Sequence, residues 1–291
     1  MSASTQPQFG IMTAPQQVSY RDILRIWQEA DVTPEIEHAW LFDHLMPIGG
    51  DRDGPILEGW TLLSALAAQT ARLRLGLLVT SNRFRPPAML AKIAATVDIV
   101  SDGRLEFGIG AGSRPSLPWA RREYDANGLP YLDAPAAVAS LAEACTVIRR
   151  LWTETEPFDF DGNYVRLAGA FSNPKPVQQP GPPIMIGGRS MATLRVVAEH
   201  ADRWNMPGGD VDDAVSRSAL LDRYCAEIGR DPASVTRSMY LPVAYGRPRA
   251  AQDAIGQATG AGFGHIVLGL PAPYPDGVAR WVADEVIGAG A

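Results

Sequence analysis

Lysine is nearly missing from this chain. Its 291 residues contain only Lys92 and Lys175, so almost all of the positive charge is arginine. Schiff-base catalysis needs a reactive lysine, and neither of these two stands at the end of a strand-like run. The 26 basic residues are outnumbered by 32 acidic ones, for a net charge of −6, and no Lys/Arg run occurs. That balance argues against a nucleic-acid partner and against a polybasic membrane anchor. Cysteine is equally scarce: Cys145 and Cys225 lie far apart with no CxxC spacing. A disulfide framework is therefore not expected, and a reducing cytoplasm is the expected compartment. The first eight residues lack an apolar signal core. The densest apolar stretch, residues 73–79, is interrupted by Arg74 and Gly76 and is far too short to cross a bilayer. The four histidines, His38, His44, His200 and His265, show neither i,i+4 pairing nor HExxH spacing, so no metal is expected. The GxxxxGK[ST] phosphate loop and the GxSxG nucleophile elbow are also missing.

What is present is an ordinary globular mixture, 46% hydrophobic and 20% charged, punctuated by 28 Gly and 24 Pro. Short strand-like runs alternate with helical ones. The strand-like runs cover residues 9–13, 38–43, 73–79, 104–110, 184–186, 203–206, 238–244 and 265–270. The helical runs between them cover about 19–30, 59–71, 86–100, 136–152, 190–200, 212–228, 249–260 and 276–287, with Ser19 as a plausible N-cap. Eight βα units predict a parallel α/β barrel, the (βα)8 or TIM fold, as a single domain over 1–291. Two stretches fall outside the pattern: an irregular one at about 113–135, and an excursion at 156–183 with a Gly-Asn turn signal and a Pro-rich tail. A doubly wound open sheet is the rival. It would need a Gly-rich fingerprint after the first strand, where residues 9–15 have none.

A parallel barrel binds its ligand at the carboxyl ends of its strands. Asp43 and His44 follow the second strand and pair a carboxylate with an imidazole able to exchange a proton near neutral pH. Thr80, Ser81, Asn82 and Arg83 follow the third. Gly108, Gly110 and Gly112 alternate after the fourth, a pattern that serves close packing at the barrel mouth as readily as a ligand. After the fifth, Gly187, Gly188 and Arg189 open a helix, where free amides and a guanidinium suit a phosphate and where glycine could equally serve only the turn.

These strand-end residues, in this order, resemble the bacterial luciferase-like monooxygenase superfamily, particularly its branch that uses the deazaflavin coenzyme F-420. The resemblance runs from Phe9 to about Leu270. It is most specific over 86–112, where a helix ends in Ser101-Asp-Gly-Arg104 before the Gly-rich fourth strand; Phe42-Asp43-His44, 183–188 and 201–205 also match. The resemblance implies a redox ring in the barrel mouth, backed by a bulge and a non-prolyl cis peptide at Leu78–Val79. Asp43 and His44 would lie near the reactive face, with His44 as proton donor or acceptor. Leu78, Val79, Thr80, Asn82, Gly110, Ala111 and Gly112 would line the cofactor, and Gly187, Gly188 and Arg189 would hold its phosphate. Ser113, Trp119 and Asn205 would shape the substrate pocket. The function so implied is hydride transfer between F-420 and a small organic substrate. The alternatives are an FMN-dependent two-component monooxygenase, which alone would need a flavin reductase as partner, and a non-catalytic binder of a flavin-like ligand. A homodimer is the family expectation. Sugar-phosphate dehydrogenases of the superfamily carry a Trp and a Glu where this chain has Ile48 and Ser113, which argues against a sugar phosphate.

Overall fold

The computed structural model describes residues 6–288 except Pro115 and Gly209. In chain order the elements are β1 (Gln8–Thr13), α1 (Tyr20–Asp31), β2 (His38–Leu41), α2 (Gly59–Ala67), β3 (Arg74–Leu77), β4 (Thr80–Ser81), α3 (Pro87–Val100) and β5 (Leu105–Gly110). There follow α4 (Pro118–Ala126), α5 (Ala134–Thr153), β6 (Phe158–Asp161), β7 (Arg166–Ala170), β8 (Ile184–Gly187), α6 (Met191–His200) and β9 (Arg203–Met206). The chain closes with α7 (Val211–Glu227), β10 (Thr236–Pro242), α8 (Pro248–Gly260), β11 (His265–Leu270) and α9 (Val278–Trp281), which runs into a π-helical stretch, Val282–Ile287.

All strands except β6 and β7 form one parallel sheet in the order β3-β2-β1-β11-β10-β9-β8-β5-β4, and a further β3–β5 pairing closes it into a barrel. Because β3 and β4 are successive parts of one stave, this is the eight-stave cylinder expected from the βα count. The closure explains why strand interiors are buried throughout, as in β5 and β11, rather than alternating with polar residues. The helices wrap the outside. Ser19 caps α1 as predicted, its side chain accepting from the Asp22 amide while Asp22 reaches back to the Ser19 amide.

The axis of the cylinder is filled by large side chains that neighbouring glycines make room for. A Cβ at Gly10 would collide with the His38 ring, and one at Gly76 would collide with the Trp40 ring. Trp40, Met185 and Val267 pack together inside, against Met12, Leu78 and Tyr240. The amino-terminal end of the axis is polar. The buried Glu106 carboxylate is held by Arg74 Nε at 2.6 Å and Arg203 Nη2 at 3.1 Å, beside the stacked rings of His38 and His265.

Three expectations change. The segment 113–135 is not wholly irregular, because it contains α4, started by Pro118 at a first-turn position that tolerates proline. The final helix is mostly π-helical. The third strand ends at Leu77 rather than at residue 79, and its stave resumes as the short β4; between the two the Leu78–Val79 peptide is cis, as the resemblance implied. The excursion holds a hairpin at its Gly-Asn turn signal, with β6 paired antiparallel to β7. Cys145 and Cys225 are both free and buried. No described helix is long and apolar enough to cross a membrane, and no cluster of potential metal ligands occurs among the described residues.

The Ser101–Arg104 turn is a structural device. Asp102 and Gly103 adopt positive φ (54° and 78°), which swings the Arg104 guanidinium back over the ends of α2 and α3. There it donates to the carbonyls of Ala67, Thr70 and Leu73, each at 2.8 Å, and of Ser101 at 2.7 Å. Arg104→Lys cannot reach all four. It is expected to destabilise the fold by about 1.5–3 kcal/mol, read as a lowered urea midpoint at unchanged slope.

Candidate active site

The carboxyl ends of the strands surround a cavity of about 600 Å³. Its lining includes Asp43, His44, Leu78, Val79, Thr80, Gly110, Ala111, Gly112, Ser113, Gly187, Gly188, Arg189 and Asn205, all singled out from the sequence, together with Phe42, Ser81, Arg114, Ser116, Leu117 and Pro207. Two predicted site residues are not among the lining. Asn82 is turned away from it, with its Nδ2 donating to Ser140 Oγ at 3.0 Å. Trp119 stands behind His44, edge to face with ring centroids 5.2 Å apart, and so meets the imidazole.

One wall of the cavity is shaped by glycine. The Val79 side chain lies between two strand-end glycines: a Cβ on Gly110 would be 2.9 Å from Val79 Cγ2, and one on Gly187 would be 3.1 Å from Val79 Cγ1. Glycine at both places lets Val79 sit against the wall and leaves the cavity open above it. Gly187, Gly188 and Arg189 then lead into α6, whose amino end is capped by Ser190. Gly188 has φ 140°, a conformation that leaves its amide bonded to the Asn205 carbonyl at 3.2 Å. Arg189 pairs with Asp213 at 3.3 Å, and its side chain is 62% exposed, so this contact is weak and the guanidinium is free to turn to a ligand.

His44 is held from a distance the sequence does not reveal. Its Nδ1 lies 3.1 Å from both carboxylate oxygens of Glu123, a fully buried residue on α4. Glu123 Oε1 also accepts from the Leu45 amide at 2.6 Å and the Met46 amide at 3.4 Å, so one carboxylate fixes both the loop and the ring. With Nδ1 hydrogen-bonded to Glu123, Nε2 is the nitrogen left for a ligand. Phe42 and Phe84 pack against the ring from two further sides, at 5.2 and 6.4 Å between centroids.

Asp43 has a different part from its neighbour. Its carboxylate is buried and accepts from Arg85 Nη1 at 2.6 Å and Nη2 at 3.1 Å, and also from the Thr80 hydroxyl. Arg85 binds Glu58 as well, and Glu58 caps α2 by accepting from the amides of Trp60 at 3.2 Å and Thr61 at 2.7 Å. Burial by itself would lower the Arg85 pKa; the bonds to Asp43 and Glu58 outweigh it and raise it. Burial likewise opposes ionisation of Glu58, but its bonds to Thr61 and its attraction to Arg85 leave its pKa lowered. The Asp43 carboxylate is therefore committed to the protein. It positions Thr80 and the strand end rather than meeting a ligand, which revises the catalytic part given to it from the sequence.

Glu123, Arg85 and Glu58 were not found by reading the chain. Glu123 is 79 residues from His44, and only the fold of α4 over the barrel mouth brings them together.

Comparison with known proteins identifies the family. The sequence model of the family described as luciferase-like monooxygenase matches residues 1–277. An uncharacterised Mycobacterium tuberculosis protein is 30% identical over 233 residues, 80% of this chain and 76% of its own. An FMNH2-dependent dimethylsulfone monooxygenase of Pseudomonas putida is 26% identical over 237 residues, 77% of this chain and 61% of its own. Among solved structures, an F420-dependent secondary alcohol dehydrogenase, solved with an F420-acetone adduct, superposes with a TM-score of 0.84 at 20% identity, covering 99% of this chain and 100% of the other. At that identity the superposition speaks to the fold.

Removing the Glu123 carboxylate leaves buried donors unmatched. Glu123→Ala is expected to lower stability by about 1–3 kcal/mol in chemical denaturation, while Glu123→Gln, which keeps an acceptor for the Leu45 amide, should lose less.

Proposed function

The chain belongs to the luciferase-like monooxygenase family, and on that footing we propose that it is an F-420-dependent oxidoreductase that moves a hydride between the deazaflavin and a small organic substrate. Enzymes of the oxidoreductase and monooxygenase class are what this family contains, and this chain is one. The observation that carries the finer reading is the His44–Glu123 pair, an imidazole with its free nitrogen at the cavity and a buried carboxylate behind it. Hydride transfer to a carbonyl, or away from an alcohol, needs a proton delivered to or taken from the same oxygen, and such a pair is suited to that task.

The residues present fit a flat ring with a phosphate tail. The wall formed by Leu78 and Val79, kept clear by Gly110 and Gly187, offers a plane for the ring to lie on. The Arg189 guanidinium, beside Gly187 and Gly188 at the amino end of α6, is the group offered to the phosphate. A bound deazaflavin would supply or accept the hydride. The protein's own part is to orient ring and substrate, keep water out beneath α4, and hold or release a proton at His44 Nε2. Glu123 stabilises the imidazolium and fixes which nitrogen faces the substrate.

The second reading is an FMN-dependent monooxygenase, favoured by the similarity to the dimethylsulfone enzyme. It would need reduced FMN from a reductase partner, and dioxygen. A parallel titration with F-420 and FMN, followed by turnover in the absence of oxygen, separates the two. Tighter binding of F-420 and oxygen-independent turnover are expected; FMN preference with strict oxygen dependence would overturn the first reading in favour of the second. Binding with no turnover on any substrate would leave only a ligand-binding protein.

Two substitutions test the assigned roles. His44→Ala should lower turnover by about 10²–10⁴-fold while cofactor affinity stays nearly unchanged. Unchanged turnover removes His44 from the mechanism. Gly187→Val would drive a side chain into Val79 and the ring's plane, and should weaken cofactor binding by at least about tenfold, read by fluorescence titration.

A further inference from the structure

Asn205 lines the cavity on the side away from His44, and its amide can be traced back through a buried chain of groups to the charged end of the barrel axis. A side-chain amide has nearly the same shape either way round. Whether it offers an oxygen or an NH2 is decided by what its inner atom must bond.

The chain starts at Glu106. Its Oε1 takes both guanidinium partners, Arg74 and Arg203, while Oε2 points at His265 Nε2 across 3.7 Å. That gap is longer than a hydrogen bond but well inside the reach of the carboxylate's field. A proton on Nε2 turns the positive end of the N–H dipole to the anion, whereas a lone pair there would face it. His265 is fully buried, and burial, with Arg203 and Arg74 nearby, pushes its pKa well below the ordinary histidine value, so the ring is neutral and carries one proton. His38, stacked on His265 at 3.9 Å, accepts from Trp40 Nε1 at its own Nδ1 (2.7 Å), so its proton too lies on Nε2.

With His265 Nδ1 bare, the Ser238 hydroxyl at 2.8 Å must donate to it. The Ser238 hydrogen is then used, and Oγ can only accept from Asn205, 3.0 Å away. The inner atom of the amide is accordingly Nδ2, and the atom left toward the cavity is Oδ1.

We propose that Ser238 and His265 are positioning residues that hold Asn205 with Oδ1 toward the cavity, so that the ligand group met there is a hydrogen-bond donor, an N–H or O–H. This rests on the reading of the cavity as the ligand site. On the proposed cofactor the matching group is the imide N–H that flavin and deazaflavin rings share; on a substrate it is a hydroxyl or amide. A ligand offering a carbonyl or carboxylate at this point is disfavoured, because two acceptors would meet.

The first arm of the test needs no ligand. Nitrogen-15 spectra of the histidine rings in the native protein should show His265 as the Nε2–H tautomer; a proton on Nδ1 reverses the chain and overturns the proposal. The second arm is a double-mutant cycle. Ser238→Ala should weaken F-420 or FMN affinity, or raise substrate KM, by about 3–10-fold, and should do neither in an Asn205→Ala background. A loss confined to cofactor affinity places the donor on the ring, and one confined to KM places it on the substrate. An equal loss in both backgrounds, or no loss in the native one, overturns the proposal. If neither cofactor binds the native protein, the functional reading fails while the tautomer measurement still decides the geometry.

Discussion

A closed eight-stave cylinder has to fill its own axis, and this one fills the lower end with charge. Glu106 faces inward from β5 and is neutralised there by Arg74 from β3 and Arg203 from β9. Two guanidinium groups on one oxygen of a buried carboxylate tie three staves together and offset part of the cost of desolvating it. Above them the axis turns apolar, through Trp40, Met185 and Val267. Above that it opens, because the strand ends carry glycine. The cavity is thus where the axis runs out of side chains, and its position follows from the way the layers below are packed.

The mouth is organised by two further carboxylates, one on each side of the sequence pair Asp43-His44. Arg85 and Thr80 draw Asp43 into the protein, and the same Arg85 reaches Glu58 at the start of α2, so the second and third βα loops share one ionic cluster. Glu123 comes from the other direction, on α4, and holds His44 toward the cavity. Adjacent residues thereby acquire different work: one fixes the scaffold, and the other keeps a nitrogen free for chemistry. The same helix carries Tyr124 beneath Arg83, whose guanidinium lies 4.5 Å from the phenol ring centroid. Burial raises the Tyr124 pKa and lowers that of Arg83, whose guanidinium keeps its charge and donates to the Ser113 carbonyl.

Water exclusion is also built from this lid. Trp119, Phe84 and Phe42 surround the His44 ring, so the imidazole sits in an apolar collar with a single polar contact behind it. Such a collar strengthens the pull of Glu123 on the ring, because little solvent screens it.

Sequence by itself determined the barrel. Strand-like and helical runs repeat eight times, the repeats are local, and a parallel sheet of that count has one common way to close. It also determined most of the cavity lining, because ligands in this architecture meet the residues just past each strand, and those are adjacent in the chain to runs that hydrophobicity marks plainly. The Ser101–Arg104 turn was visible too, although its reason, a guanidinium gathering four carbonyls, was not. Only the tertiary structure decided the partners. Glu123 to His44, Arg85 to Asp43, and Glu106 through His265 and Ser238 to Asn205 are contacts between elements far apart in the chain, and no spacing rule encodes them. They depend on where α4 folds back over the mouth and on the register of β5, β9, β10 and β11. Those placements are set by the packing of the whole molecule, and it is they that give a strand-end histidine its buried carboxylate partner.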